Sequence, residues 1–244
     1  MNNEDMALVQ AYAADKSEAA FAALVSRHVG LVYSAASRQL GDAHLAQDVT
    51  QAVFILLARK AGALGADTIL SGWLYRTTRF ACADVLKREQ RRHRREQEAS
   101  MNATLETATN DSVWRQLAPV LDAAMAELRD RDRDALVLRF FENKSLKEVA
   151  SALGLEERTA QKRVQRALDK LRLTFSRRGV TLSAAVIASA VAANSVQAAP
   201  TPVLTLATAA GGGQTASPAA NAVIQGVLQA MVWAKLKFAL GAGA

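Results

Sequence analysis

The 244-residue chain has one cysteine, Cys82, which excludes an internal disulfide framework. Its three histidines, His28, His44 and His93, stand at spacings that suit no metal site, and no nucleophile motif accompanies them. The glycines at 211–213 lack the Lys-Ser/Thr that completes a phosphate-binding loop. Together these absences predict a protein that is not an enzyme and needs no cofactor or metal. The opening residues, MNNEDMALVQ, have neither the basic stretch nor the apolar run of a secretory signal, so the bulk of the chain reads as cytoplasmic. Acidic residues are missing altogether from 179–244, where Lys235 and Lys237 are the only charges.

The charge that is present falls in blocks. The whole chain carries +7, with a pI near 9.9, which favours a polyanionic partner. Residues 1–75 sum to −2, 76–95 to +6, 96–135 to −5 and 136–178 to +6. Two basic blocks separated by an acidic one point to two anion-facing surfaces on separate modules.

Apolar periodicity makes the chain helical. From Glu18 to Leu40, Phe21, Leu24, Val25, Val32, Ala35 and Ala36 recur at helical spacing, and His28 lies on or beside that stripe as a packed, structural residue. Gly41 ends this helix, Asp42 caps the next, and Ala46, Val49, Val53, Phe54 and Leu57 carry that one to about Ala61. A third helix starts near Trp73, with Trp73, Leu74, Thr77, Phe80, Ala81 and Val85 on one side. Tyr75 and Arg79 are neighbours on another side, flanked by Arg76 and Lys87. Interleaved aromatics and cations suit single-stranded DNA, because bases stack on rings while cations neutralise phosphates; a core Trp73 with solvated arginines is the plainer reading.

Residues 96–112 lack a period and read as a linker. Helices resume from Trp114 to Leu128 and from about Arg131 to Phe141. Ser145 and Glu148 have capping-box spacing, and Leu146, Val149, Ala150 and Leu153 form a stripe that ends at Gly154. After a tight turn, a second helix buries Ala160, Val164, Ala167, Leu168 and Leu171. Arg158, Thr159, Lys162, Gln165 and Arg166 then face away, with Arg163 at the flank. This pattern is a helix-turn-helix with a basic outer face, although plain helical hairpins share it.

The stretch DKSEAAFAALVSRHVGLVYSAASRQLGDAHLAQDVTQAVFILLARK, followed by LSGWLYRTTRFACADVLKRE, resembles region 2 of the sigma-70 family of RNA polymerase sigma factors, especially its extracytoplasmic-function (ECF) group. LRDRDRDALVLRFFENKSLKEVASALGLEERTAQKRVQRALDKLR resembles region 4 of the same group. The resemblance implies an all-α bacterial initiation factor with core RNA polymerase and promoter DNA as partners, acting in the cytoplasm at the nucleoid. Its expected domains are 1–95 (region 2), 96–112 (linker), 113–178 (region 4) and 179–244, a low-complexity apolar extension.

By the same resemblance, Asp48, Gln51 and Phe54 would dock on the polymerase clamp, although Gln47 and Ala52 stand where relatives commonly carry acids. The loop from Gly62 to Ser71 would hold an extruded base of the downstream promoter element, with Tyr75 on the stacking face and Arg76, Arg79, Lys87 and Arg88 on the backbone. Arg158, Thr159, Lys162, Arg163 and Arg166 would meet the upstream element in the major groove. Glu156 occupies the place of a frequent Ser cap. An anti-sigma protein and the tail itself stand open as regulators.

The tail contains GVTLSAAVIASAVAANSVQA, a weak candidate for a membrane span, and NAVIQGVLQAMVWAKLKFAL, an amphipathic helix that suits the protein's own surface, a membrane or a partner. The composition break after Arg178 predicts a tail that leaves both DNA-binding modules intact. Two rivals compete with the sigma reading: a helix-turn-helix repressor or activator of duplex DNA, and a membrane-associated adaptor that uses the tail. The second basic, aromatic-containing block favours sigma activity, because a duplex-only regulator has no use for it.

Overall fold

The computed structural model describes residues 2–97, 112–213 and 216–241, and no strand occurs among them. Among the described residues eleven α-helices run in the order α1 (Asn2–Asp15), α2 (Glu18–Leu40), α3 (Ala43–Lys60), α4 (Leu70–Gln97), α5 (Ser112–Ala126), α6 (Asp130–Leu136), α7 (Leu146–Leu153), α8 (Glu157–Arg177), α9 (Ala184–Asn194), α10 (Thr201–Ala209) and α11 (Pro218–Gly241). Most of the linker expected at 96–112 lies outside the described residues.

Local chemistry sets the boundaries. The Ser17 side chain accepts from the Ala20 N–H to start α2, and Gly41, at φ 66°, closes it by donating to the Ser37 carbonyl. Asp42 then caps α3 by accepting from the Leu45 N–H at 2.8 Å, and Arg59 and Lys60 sit at its carboxyl end, where cations oppose the helix dipole. In α7 the capping box is complete, with Ser145 and Glu148 serving each other's backbone N–H groups, and Gly154 takes the left-handed conformation at φ 63°. α8 has no side-chain cap at Glu156, as the missing Ser implies.

Two apolar clusters organise these helices. The first joins Phe21, Leu24 and Val32 of α2, Val49, Val53, Phe54 and Leu57 of α3, and Leu74 and Ala81 of α4. The second joins Leu117, Leu121 and Met125 of α5 to Leu136, Val149, Val164, Leu168, Leu171 and Phe175. The expected separation of these modules from the tail does not hold. Val203 and Ala207 of α10 and Ala220, Val223, Ile224 and Val227 of α11 are part of the first cluster, while Ile187 and Val191 of α9 are part of the second. Leu31, Ala35 and Tyr75 cross over from α2 and α4 into the second cluster, so the two modules also share apolar surface.

Three glycines mark where the tail approaches most closely. A β-carbon on Gly30 would meet the Gln197 carbonyl oxygen at 3.0 Å, one on Gly211 would meet the Phe21 ring at 2.4 Å, and one on Gly226 would meet Asp84 at 2.0 Å. At Gly211 the clash is with the packed Phe21 ring, at Gly30 a carbonyl would have to give slightly, and at Gly226 the Asp84 and Arg88 side chains would have to swing away. The Tyr12 hydroxyl donates to the Gly211 carbonyl at 2.9 Å, and the Gln197 N–H donates to Ser34 at 2.8 Å.

Among the described residues, only α2 is long and apolar enough to cross a membrane by length and composition, and 61% of its most apolar window is buried inside the protein. α9, the stretch expected as a weak span, has 11 helical residues against the roughly 20 that a bilayer requires. His28 is buried as expected, its Nε2 lying 3.0 Å from Asp5. Burial opposes the charge on Asp5, but hydrogen bonds from His28 and Arg27 prevail and hold its carboxyl below the ordinary range.

Candidate nucleic-acid interface

The clearest surface is the outer face of α8. Ala160, Val164, Ala167, Leu168 and Leu171 are buried against the second cluster, and that burial fixes which side of the helix is left to solvent. Arg158, Thr159, Lys162, Gln165 and Arg166 are all exposed there. Arg163 is not part of this face: it is half-buried and pairs with Asp132 of α6 at 3.1 Å. Lys170 reaches the same carboxylate at 2.6 Å. Burial opposes ionisation of Asp132, yet these two cations outweigh it and lower its pKa. The pair braces α8 against α6, so the helix that presents the basic face is held by charge as well as by apolar contact.

On α4 the arrangement differs from the expected stacking face. Tyr75 is fully buried, and its hydroxyl donates to Asp122 of α5 at 2.5 Å. Burial first, and then the charge of Asp122, push the phenol well above its usual pKa, so it stays a neutral donor. Asp122 also accepts from Arg38 of α2 at 3.0 Å, and Arg38 in turn donates to the Ser195 carbonyl in the tail. One buried carboxylate thus ties together α2, α4, α5 and the tail. Trp73 is partly buried against the first cluster, whereas Phe80, expected on the apolar side, is 48% exposed.

Two of the described arginines of α4, Arg76 and Arg88, have partners. Arg76 donates to Asp134 of α6 at 2.7 Å, directly beside Gly72, whose added β-carbon would sit 2.1 Å from the same carboxylate. Burial raises the Asp134 pKa, with Arg76 acting against it. Arg79 is half-buried, and Arg88 pairs with Asp84 at 2.5 Å while donating to the Ala222 carbonyl of α11 at 2.6 Å. Lys87 is exposed and interacts with a neighbour. A cleft of about 630 Å³ lies between Ala66–Ile69, Trp73 and Arg76 on one side and Arg131, Asp134, Arg163 and the α7–α8 turn on the other. The loop expected to hold a base therefore faces the helix-turn-helix.

α3 presents the third candidate surface. Phe54 is fully buried in the first cluster and shapes the helix from within. Asp48 and Gln51 lie on its outer side, beneath the start of α11. There the Ser217 hydroxyl donates to Asp48 at 2.9 Å, and the Ser217 N–H donates to Gln51 at 3.4 Å. The amphipathic stretch of the tail suits the protein's own surface, a membrane or a partner alike, and its sequence does not single out α3 as the place where it lies.

Comparison with known proteins identifies both modules. Residues 24–92 match sigma-70 region 2 and residues 120–171 match sigma-70 region 4. The ECF RNA polymerase sigma factor SigE of Mycolicibacterium smegmatis is 31% identical over 152 residues, which cover 61% of this chain and 59% of that protein. RNA polymerase sigma factor CarQ of Myxococcus xanthus is 30% identical over 162 residues, 65% of this chain and 90% of CarQ. The ECF RNA polymerase sigma factor SigL of Mycobacterium tuberculosis is 30% identical over 172 residues, 69% of this chain and 96% of SigL. With two regions matched in order, all-helical modules at the matched positions and near-complete coverage of two such relatives, the chain belongs to the ECF sigma factors of the sigma-70 family, which serve transcription initiation and are not enzymes.

Proposed function

We propose that this sigma factor docks on core RNA polymerase through the outer side of α3, reads the upstream promoter element with α8 and opens the downstream element with the loop before α4 and the outer face of that helix. The observation that carries this reading is the division of α8 into a buried apolar side and an exposed basic one. Arg158, Thr159, Lys162 and Arg166 occupy the exposed side, where a helix seated in the major groove meets phosphates and base edges. Asp48 and Gln51 are the docking groups, and Phe54 keeps α3 in shape beneath them.

At the downstream element, Arg76, Arg79, Lys87 and Arg88 meet the strand backbone. Phe80 takes the stacking part first assigned to Tyr75, because successive helical steps of about 100° bring Arg76, Phe80 and Lys87 onto one face. Strand opening then draws on binding energy alone, with no catalytic group. The protein works in the cytoplasm, and the reading requires no anti-sigma protein.

Reconstitution with core polymerase on a promoter library tests docking, recognition and opening together. The expected result is comigration on a sizing column at micromolar concentration, and permanganate reactivity of unpaired thymines at selected promoters. A protein that binds duplex promoters but never comigrates with the core would restore the repressor reading.

A further inference from the structure

We propose that the C-terminal extension is a resident occupant of the polymerase-docking surface: α10 lies on α2 and α3, α11 lies on α3 and α4, and core polymerase must displace α11 before it can dock. The proposal rests on the docking role given to α3 above.

Three independent sets of contacts seat the extension. The first is polar and falls on the docking groups themselves: Ser217 satisfies both Asp48 and Gln51, and its hydroxyl also accepts from the Ala220 N–H, capping α11. Ser217 and the start of α11 lie over Asp48 and Gln51, so a partner protein that reaches these groups meets the extension first. The second is apolar. Ala220, Val223, Ile224 and Val227 are buried in the same cluster as Val49, Val53 and Phe54, so α11 completes the module's core instead of resting on a finished surface. The third is steric: Gly226 lets α11 come so close to α4 that Asp84 and Arg88 would have to move for any side chain, and Arg88 holds the Ala222 carbonyl there.

The extension is joined directly to the surface it covers. Gly211–Gly213 links α10 to the approach of α11, and Gly213 adopts φ 76°, a turn that L side chains rarely make. Because the segment is tethered to the module it covers, it competes for α3 intramolecularly, and a free partner must outbid its effective concentration. If the covered form outweighs the open one by a given factor, the apparent affinity for the core falls by the same factor.

A reversible lock tests the proposal in the full chain. Asp84 and Gly226 lie where a disulfide can form, and neither belongs to the docking groups. Native Cys82 does not compete, because it is buried and that burial pushes its thiol far above the usual pKa. In the Asp84→Cys/Gly226→Cys chain, oxidation should weaken binding to core polymerase at least tenfold, and dithiothreitol should restore it. Gly226→Leu, which loosens α11 without a cross-link, should bind the core at least several-fold more tightly than the parent. Equal binding by the oxidised and reduced chains, or by Gly226→Leu and the parent, would overturn the proposal. Asp48→Arg in the reduced chain separates the two readings. If it binds the core as well as its parent, the docking role of α3 fails; if it loses binding while the lock has no effect, only the occupant is refuted.

Discussion

Tyr75 and Asp122 show how much one buried pair can decide. A phenol whose place in the sequence predicts stacking on DNA instead donates to a carboxylate on another module, and that carboxylate also holds Arg38. Tyr75→Phe should lower stability by about 1–3 kcal/mol in urea denaturation, the cost of leaving a buried acceptor under-satisfied. Phe80→Ala should do the reverse, keeping the fold while reducing permanganate reactivity at open promoters. On α8, Lys162→Ala should weaken promoter binding and flatten its salt dependence by about one unit, as a lost phosphate contact does. Arg163→Ala should act through stability, since its partner is Asp132. That pair has a pH signature. The Asp132 pKa is lowered in the folded state, so its contribution is present above the ordinary aspartate value and is lost as pH falls through the folded one. The stability gap between the parent and Asp132→Asn should therefore be widest near neutrality and close on acidification.

Element boundaries follow the sequence closely because caps are local. Gly41, Asp42, Ser145, Glu148 and Gly154 each act through backbone groups within a few residues, and each stands where its residue type predicts. The basic face of α8 was legible for the same reason, since periodicity sorts buried from exposed. Legibility ends where the partner is distant. Nothing near Tyr75 announces Asp122, 47 residues away, and nothing near Asp48 announces Ser217, 169 residues away. The helix Asn2–Asp15 was also missed, because its apolar residues are not gathered on one stripe. The bare start of α8 offers an element-scale test. Glu156→Ser should add a cap and raise stability by roughly 0.5–1 kcal/mol, whereas Ser145→Ala should cost about 1 kcal/mol, both read from thermal unfolding.

At the scale of the whole molecule, the two DNA-reading modules are not beads on a string. Arg76–Asp134 and the shared Asp122 hold region 2 against region 4, with the loop before α4 facing the helix-turn-helix across the cleft. The free chain should scatter X-rays as a body of radius of gyration near 18 Å, the value for a compact chain of this length. Gly72→Val, which displaces Asp134 from Arg76, should enlarge that radius. The late position of the tail has a further consequence during synthesis. Region 2 ends near Gln97, but the residues that finish its core reach Val227, about 130 positions later. At roughly 5–20 residues per second, a ribosome spends roughly 7–26 s between the two points. Throughout that interval the nascent chain carries α3 without its lid, so each new molecule passes through a brief period of availability before its own last helix arrives.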